Sequence, residues 1–175
     1  MRLYHIQEAC LFGEVVMIKE VEDMNWEEYL GLDLDLFDKK AVEKFEVDYG
    51  IKFPSEYFSL ILPYQGKLPE ARQIRIRNVI EGVGPVFHFL ENTNEMCDSY
   101  EMRYMKDVID AYPSELIPIL GAGASGSLFA LDFSNKLAPN VVLINFDYGI
   151  GEENSVIKVA SSIQEFLDQL FCDDE

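Results

Sequence analysis

From residue 38 onward the hydrophobic positions change period several times, and each change marks an element. Asp38 stands where a helix cap would, Val42, Phe45 and Tyr49 then fall on one helical face, and Gly50 follows in the left-handed stop position. Pro54 is placed to open a second, short helix, since its missing N–H costs nothing in a first turn, with Tyr57, Leu60 and Ile61 facing inward. Between Gln73 and Leu90 the pattern becomes β-like, with Ile74 and Ile76 before a turn at Gly82–Pro85 and Val86 to Leu90 after it. A third helix is predicted over Ser99 to Tyr112, where Tyr104, Met105, Val108, Ile109 and Tyr112 follow the 3.6-residue period and Pro113 stops the run.

Three strands are predicted next, Ile117–Leu120, Leu128–Phe133 and Val141–Phe146, with Val156–Ala160 as a further one. The last element carries the clearest helix signal. Ser162 and Glu165 form a capping box, and Ile163, Phe166, Leu167, Leu170 and Phe171 line one apolar stripe. Helices flank runs of strand without regular βαβ alternation, so the predicted class is α+β with a largely antiparallel sheet flanked by helices. At 175 residues the chain fits a single domain, read over residues 26–175. Residues 1–25 read as an N-terminal extension, in which Leu3, Tyr4, Ile6 and Val15 to Val21 suit either a hairpin turning near Gly13 or part of a helix.

Composition changes this picture chiefly through charge. Fourteen basic and 32 acidic residues leave a formal charge of −18. Such a surface repels nucleic acid and anionic lipid and attracts basic proteins. Acidity of this kind also serves plain solubility, so it selects no function alone. A hydrophobic share of 49 % excludes a disordered chain. Cys10, Cys97 and Cys172 form no CxxC pair and suit a reducing compartment. Glu8 and Glu14 interrupt any signal-peptide core, and the uncharged stretch from Leu116 to Leu131 is too short to span a bilayer. A cytoplasmic protein is expected.

Candidate chemistry is sparse. Gly121, Gly123 and Gly126 resemble a phosphate-binding loop in composition, but a strand follows and no lysine closes it, so a structural turn is expected. Asp33, Asp35 and Asp38 alternate with leucines rather than with the pattern of a calcium loop, and read as an acidic helix entrance. His5 and His88 have no Ser, Cys or second His at a catalytic spacing, and alternation would set His88 opposite Phe87 and Phe89. Arg75 and Arg77 should share the exposed face of a charge-guarded edge strand, with Arg72 nearby. These readings predict no catalytic residue, no metal and no cofactor. A carboxylate enzyme would require a concave pocket holding two or more acidic groups.

The string Val42, Phe45, Glu46, Tyr49, Gly50, Ile51, Phe53, Pro54, Ser55, Glu56, Tyr57 resembles the opening signature of the SUKH superfamily. Ile117, Pro118 and Ile119, then Leu128 to Asp132, are similar to its second block, and Val141 to Ile144 with Phe146 and Asp147 to its next strand. Val159 to Ile163 with Glu165, Phe166 and Leu167 resembles its terminal helix. The resemblance covers about residues 38 to 171. It departs at Tyr64, Gln65 and Gly66, where the family often has Asn-Gly-Gly, and at Ile163, where it has Phe.

That resemblance implies a protein-binding module. Bacterial members are antidotes to a cognate toxin, commonly a nuclease, and fungal members act as signalling scaffolds. The expected function is therefore an immunity protein that neutralises a basic, nuclease-type toxin by direct binding, with a general interaction or scaffold domain as the alternative. A nuclease is basic at its substrate groove, where carboxylates can stand in for phosphates. The expected protein-binding residues are Glu95, Asp98, Glu101, Asp107, Asp147, Glu152 and Glu153, with Tyr148 as an aromatic anchor among them.

Overall fold

The computed structural model describes residues 24–90, 94–123, 126–135 and 138–172. The extension read over residues 1–25 lies outside these up to residue 23. Strand β1 (Trp26–Glu28) pairs antiparallel with β2 (Lys67–Pro69) in a two-stranded ribbon, and Trp26 stacks on Tyr64 at 4.3 Å. The main sheet is a six-stranded meander in which β3 (Gln73–Ile76), β4 (Val79–Val86), β5 (Leu116–Ala122), β6 (Leu128–Asp132), β7 (Asn140–Ile144) and β8 (Val156–Ala160) each pair antiparallel with the next. The protein is α+β.

Helix α1 (Lys39–Tyr49) begins where Asp38 accepts the Lys40 N–H at 2.9 Å, and ends at Gly50 with φ of 64°. Asp33 caps a single 3-10 turn (Leu34–Leu36), so two of the three aspartates of the acidic entrance serve as caps. After Pro54 the chain forms a widened, π-type turn (Tyr57–Ile61) and then a 3-10 turn (Leu62–Tyr64) rather than a regular helix. A short helix α2 (Glu95–Asp98) precedes helix α3 (Met102–Val108), which is shorter than the helix expected over Ser99 to Tyr112. Helix α4 (Ile163–Asp168) carries the expected box, with Ser162 Oγ accepting the Glu165 N–H and Glu165 reaching back to the Ser161 N–H.

The core lies in and around the central strands. Leu116 to Leu120, Leu128 to Leu131 and Val141 to Ile144 are buried without alternation, which requires cover on both sheet faces. Helix α3 packs on β5, and α4 packs on β7 and β8. Phe45, Phe53, Tyr57 and Phe89 form an aromatic cluster beside this sheet. Glu46 is buried with them because its Oε1 accepts the Phe53 N–H at 2.8 Å and its Oε2 pairs with Lys52 at 2.5 Å.

One expectation is corrected here and one is extended. No turn breaks the chain at Gly82–Pro85: β4 runs through it, and the reversal comes earlier, between Ile76 and Val79. The glycines are there because β4 and β5 approach closely. A Cβ on Gly84 would stand 3.0 Å from the Gly121 carbonyl carbon, and one on Gly82 would stand 3.0 Å from the Gly123 Cα. The expectation that His88 lies opposite Phe87 and Phe89 does not include its burial: all three side chains are buried. Past the end of β4 the chain leaves regular pleating, and the His88 ring is enclosed by the α2 segment. Its Nδ1 accepts the Leu90 N–H at 3.2 Å, so Nε2 carries the proton donated to the Cys97 carbonyl at 2.8 Å.

Candidate protein-binding surface

The expected contact residues fall on two stretches. Glu95 and Asp98 are exposed on α2, held by Asn94 Oδ1, which accepts the Met96 and Cys97 N–H groups at 3.1 Å. Glu101 is half-buried and already used, capping α3 by accepting the Tyr104 N–H at 3.0 Å. Asp107 is exposed near the end of α3. The remaining four, Asp147, Tyr148, Glu152 and Glu153, are exposed on the loop between β7 and β8.

One ring contact joins the two stretches. Tyr112, just beyond α3, lies 5.9 Å from Phe146 at the root of the β7–β8 loop. Asp107 lies near the end of α3 that leads to Tyr112, and Glu95 and Asp98 precede the other end. The loop itself is well tied. The Asn145 N–H donates to the Ser155 carbonyl at 2.9 Å, the Phe146 N–H to Ser127 Oγ at 3.4 Å, and the Asp147 N–H to Asn145 Oδ1 at 3.0 Å. At its far side Arg77 donates to Asn154 Oδ1. Both residues have positive φ, 57° and 80°, although neither is glycine. Such conformations persist only where surrounding contacts hold them.

Helix α3 is rotated from the expected orientation. Its buried side carries Met102, Lys106 and Ile109, while Tyr104 and Val108 point to solvent. Lys106 is accommodated because its ammonium donates to the Ser114 and Leu116 carbonyls at 3.2 and 2.9 Å. Burial lowers its pKa below the ordinary lysine value, and nearby Asp110, Glu115 and Asp107 pull the other way. Arg103 pairs with Asp48 of α1 at 2.8 Å and lies over the Phe45 ring at 5.6 Å. Tyr49 sits in the same carboxylate field. Burial raises its pKa, Asp107, Glu101 and Asp48 add to the rise, and Arg103 opposes it. Asp48, Tyr104, Val108, Phe146 and Ile150 therefore belong to this surface although the sequence pattern does not single them out. The i, i+4 spacing of Tyr104 and Val108 is a signal, but it reads equally well as a buried stripe.

The arginine cluster disperses. Arg72 pairs with Glu27 at 3.1 Å, Arg75 is exposed on β3, and Arg77 sits at the hairpin reversal. A depression of about 250 Å³ between α1 and the segment after it is lined by Lys39, Glu43, Glu46, Lys52, Phe53 and Phe58 among others. Of its two carboxylates, Glu46 has both oxygens engaged by Lys52 and the Phe53 N–H. Among the described residues no helix is long and apolar enough to cross a membrane.

The surface is thus a carboxylate-rich face with exposed aromatic and aliphatic side chains on ordered supports, an arrangement suited to recognising a macromolecule. A family model described as the SMI1 / KNR4 family (SUKH-1) matches residues 37–169. No curated protein matches the chain.

Proposed function

This chain belongs to the SMI1 / KNR4 family (SUKH-1), and on that footing we propose that it is an immunity protein that neutralises a basic, nuclease-type toxin by direct binding. The observation that carries the reading is the family match, which spans α1 to α4 and includes every residue of the acidic face. The charge of −18 favours a basic partner and disfavours nucleic acid and membrane. Inhibition works by occlusion: the acidic face covers a substrate groove built for phosphates, and no bond is made or broken. Long-range attraction speeds encounter, and a few desolvated contacts hold the complex.

Co-expression tests this directly. Each product of the genes flanking this chain's own is produced with and without the chain. The proposal expects one basic product to arrest growth alone and to be tolerated when the chain is present, with the two co-purifying one to one. Absence of any such product refutes the toxin partner. Binding without rescue would favour a general interaction domain instead.

A further inference from the structure

Within the face that the proposed function assigns to binding, the exposed apolar side chains are not scattered evenly. Tyr104 and Val108 are one helical turn apart on the solvent side of α3, 52 % and 46 % exposed. The contact between the buried Tyr112 and the exposed Phe146 ties the chain just past α3 to the β7–β8 loop, which presents Tyr148 and Ile150, 41 % and 54 % exposed. The same two stretches carry exposed carboxylates: Asp107 on α3 and Asp110 just beyond it, Asp147, Glu152 and Glu153 on the loop. None of these five makes an ion pair among the described residues. Of the nearby cations, Lys106 is turned inward onto two carbonyls and Arg103 is held by Asp48, while Arg77 stays exposed and donates to the neutral Asn154 amide.

We infer that these apolar side chains, together called the ridge, are the desolvated anchor of the interface, seating against an apolar recess rimmed by lysine and arginine on a basic protein partner. Exposed apolar side chains beside carboxylates that form no ion pair among the described residues are complementary to that chemistry. A nucleic acid would meet the same carboxylates as repulsion, and a second copy of this acidic chain would do so too. The support beneath the ridge fits the role. The loop is closed by the Asn145–Ser155 bond and pinned at its far side by Arg77, so little ordering cost remains on association. The inference rests on the reading that the chain binds a basic protein, and it names the part of that face which carries the affinity.

The test uses the full-length chain and whichever flanking-gene product it binds, titrated by calorimetry. Tyr104→Ala combined with Val108→Ala, and separately Tyr148→Ala, are compared with Leu36→Ala and Val79→Ala, two exposed apolar positions off the ridge. All five positions lie at the surface, and matched thermal unfolding shows that each variant folds. Each ridge variant is expected to weaken binding by about thirtyfold or more, and each control by less than about threefold. Ridge variants that bind within about threefold of the wild type, or controls that weaken as much as they do, overturn the ridge while leaving the binding function intact. A wild-type chain that binds no flanking product overturns the function and the ridge with it.

Discussion

Lys106 turns its ammonium inward, onto the Ser114 and Leu116 carbonyls, from the buried side of α3. Because burial lowers its pKa, the native state holds this proton less tightly than the unfolded chain does. The unfolded chain therefore binds more protons between the lowered value and 10.5, and the stability this residue contributes rises with pH across that window. Lys106→Met leaves both carbonyls without their donor and is expected to cost about 1–3 kcal/mol at neutral pH. Its deficit against wild type should widen as pH approaches 10.5, which urea titrations at several pH values measure. Glu46 makes a second residue-scale prediction. Glu46→Ala strands the buried Phe53 N–H and should cost about 1–3 kcal/mol, read from the same titrations. Single residues of this kind are poorly legible in a sequence. Lys106 and His88 owe their burial to carbonyls of segments that the fold brings to them, and nothing in their neighbours signals it.

Elements whose ends are fixed by local chemistry are legible to the residue. Asp38, Gly50 and Ser162 mark the ends of α1 and the start of α4 because a cap needs only the next turn of its own chain. Elements set by packing are not. Tyr57–Ile61 adopts a widened turn, α3 is rotated so that Tyr104 and Val108 face out, and β4 continues through two glycines and a proline. Those residues read as a turn because their use, backbone approach to β5, exists only once β5 is in place. Gly84→Ala tests that account, since its Cβ would meet Gly121 backbone atoms at 3.0 to 3.1 Å that have no free end to yield. Calorimetric unfolding should show a loss of about 1–3 kcal/mol. Ser162→Ala, which removes a cap but no packing, should cost about 1 kcal/mol.

At the scale of the molecule, charge governs behaviour in solution. A chain of −18 repels itself when compact, so its melting temperature should rise as salt is added from about 0.01 M to about 0.15 M, where screening shortens from about 30 Å to about 8 Å. Association with a basic partner should respond oppositely, its rate constant falling over the same range in stopped-flow mixing. The sequence shows which residues are acidic and that a loop and a helix carry them. It does not show that the Tyr112–Phe146 contact ties the end of α3 to the β7–β8 loop, because that contact depends on how α3 sits on β5. The meander has a consequence of a different kind. Each strand of the main sheet pairs with the strand next to it in sequence, and only β4 and β5 are separated by helices, so the sheet can assemble largely in chain order as the chain leaves the ribosome. The exception is the bridge between Gln73 and Phe171, whose two backbone bonds span 3.1 and 2.9 Å. Until Phe171 emerges, the outer edge of β3 stands open to any passing strand. From the synthesis of β3 until that bridge closes, this edge is exposed to pairing with the wrong chain.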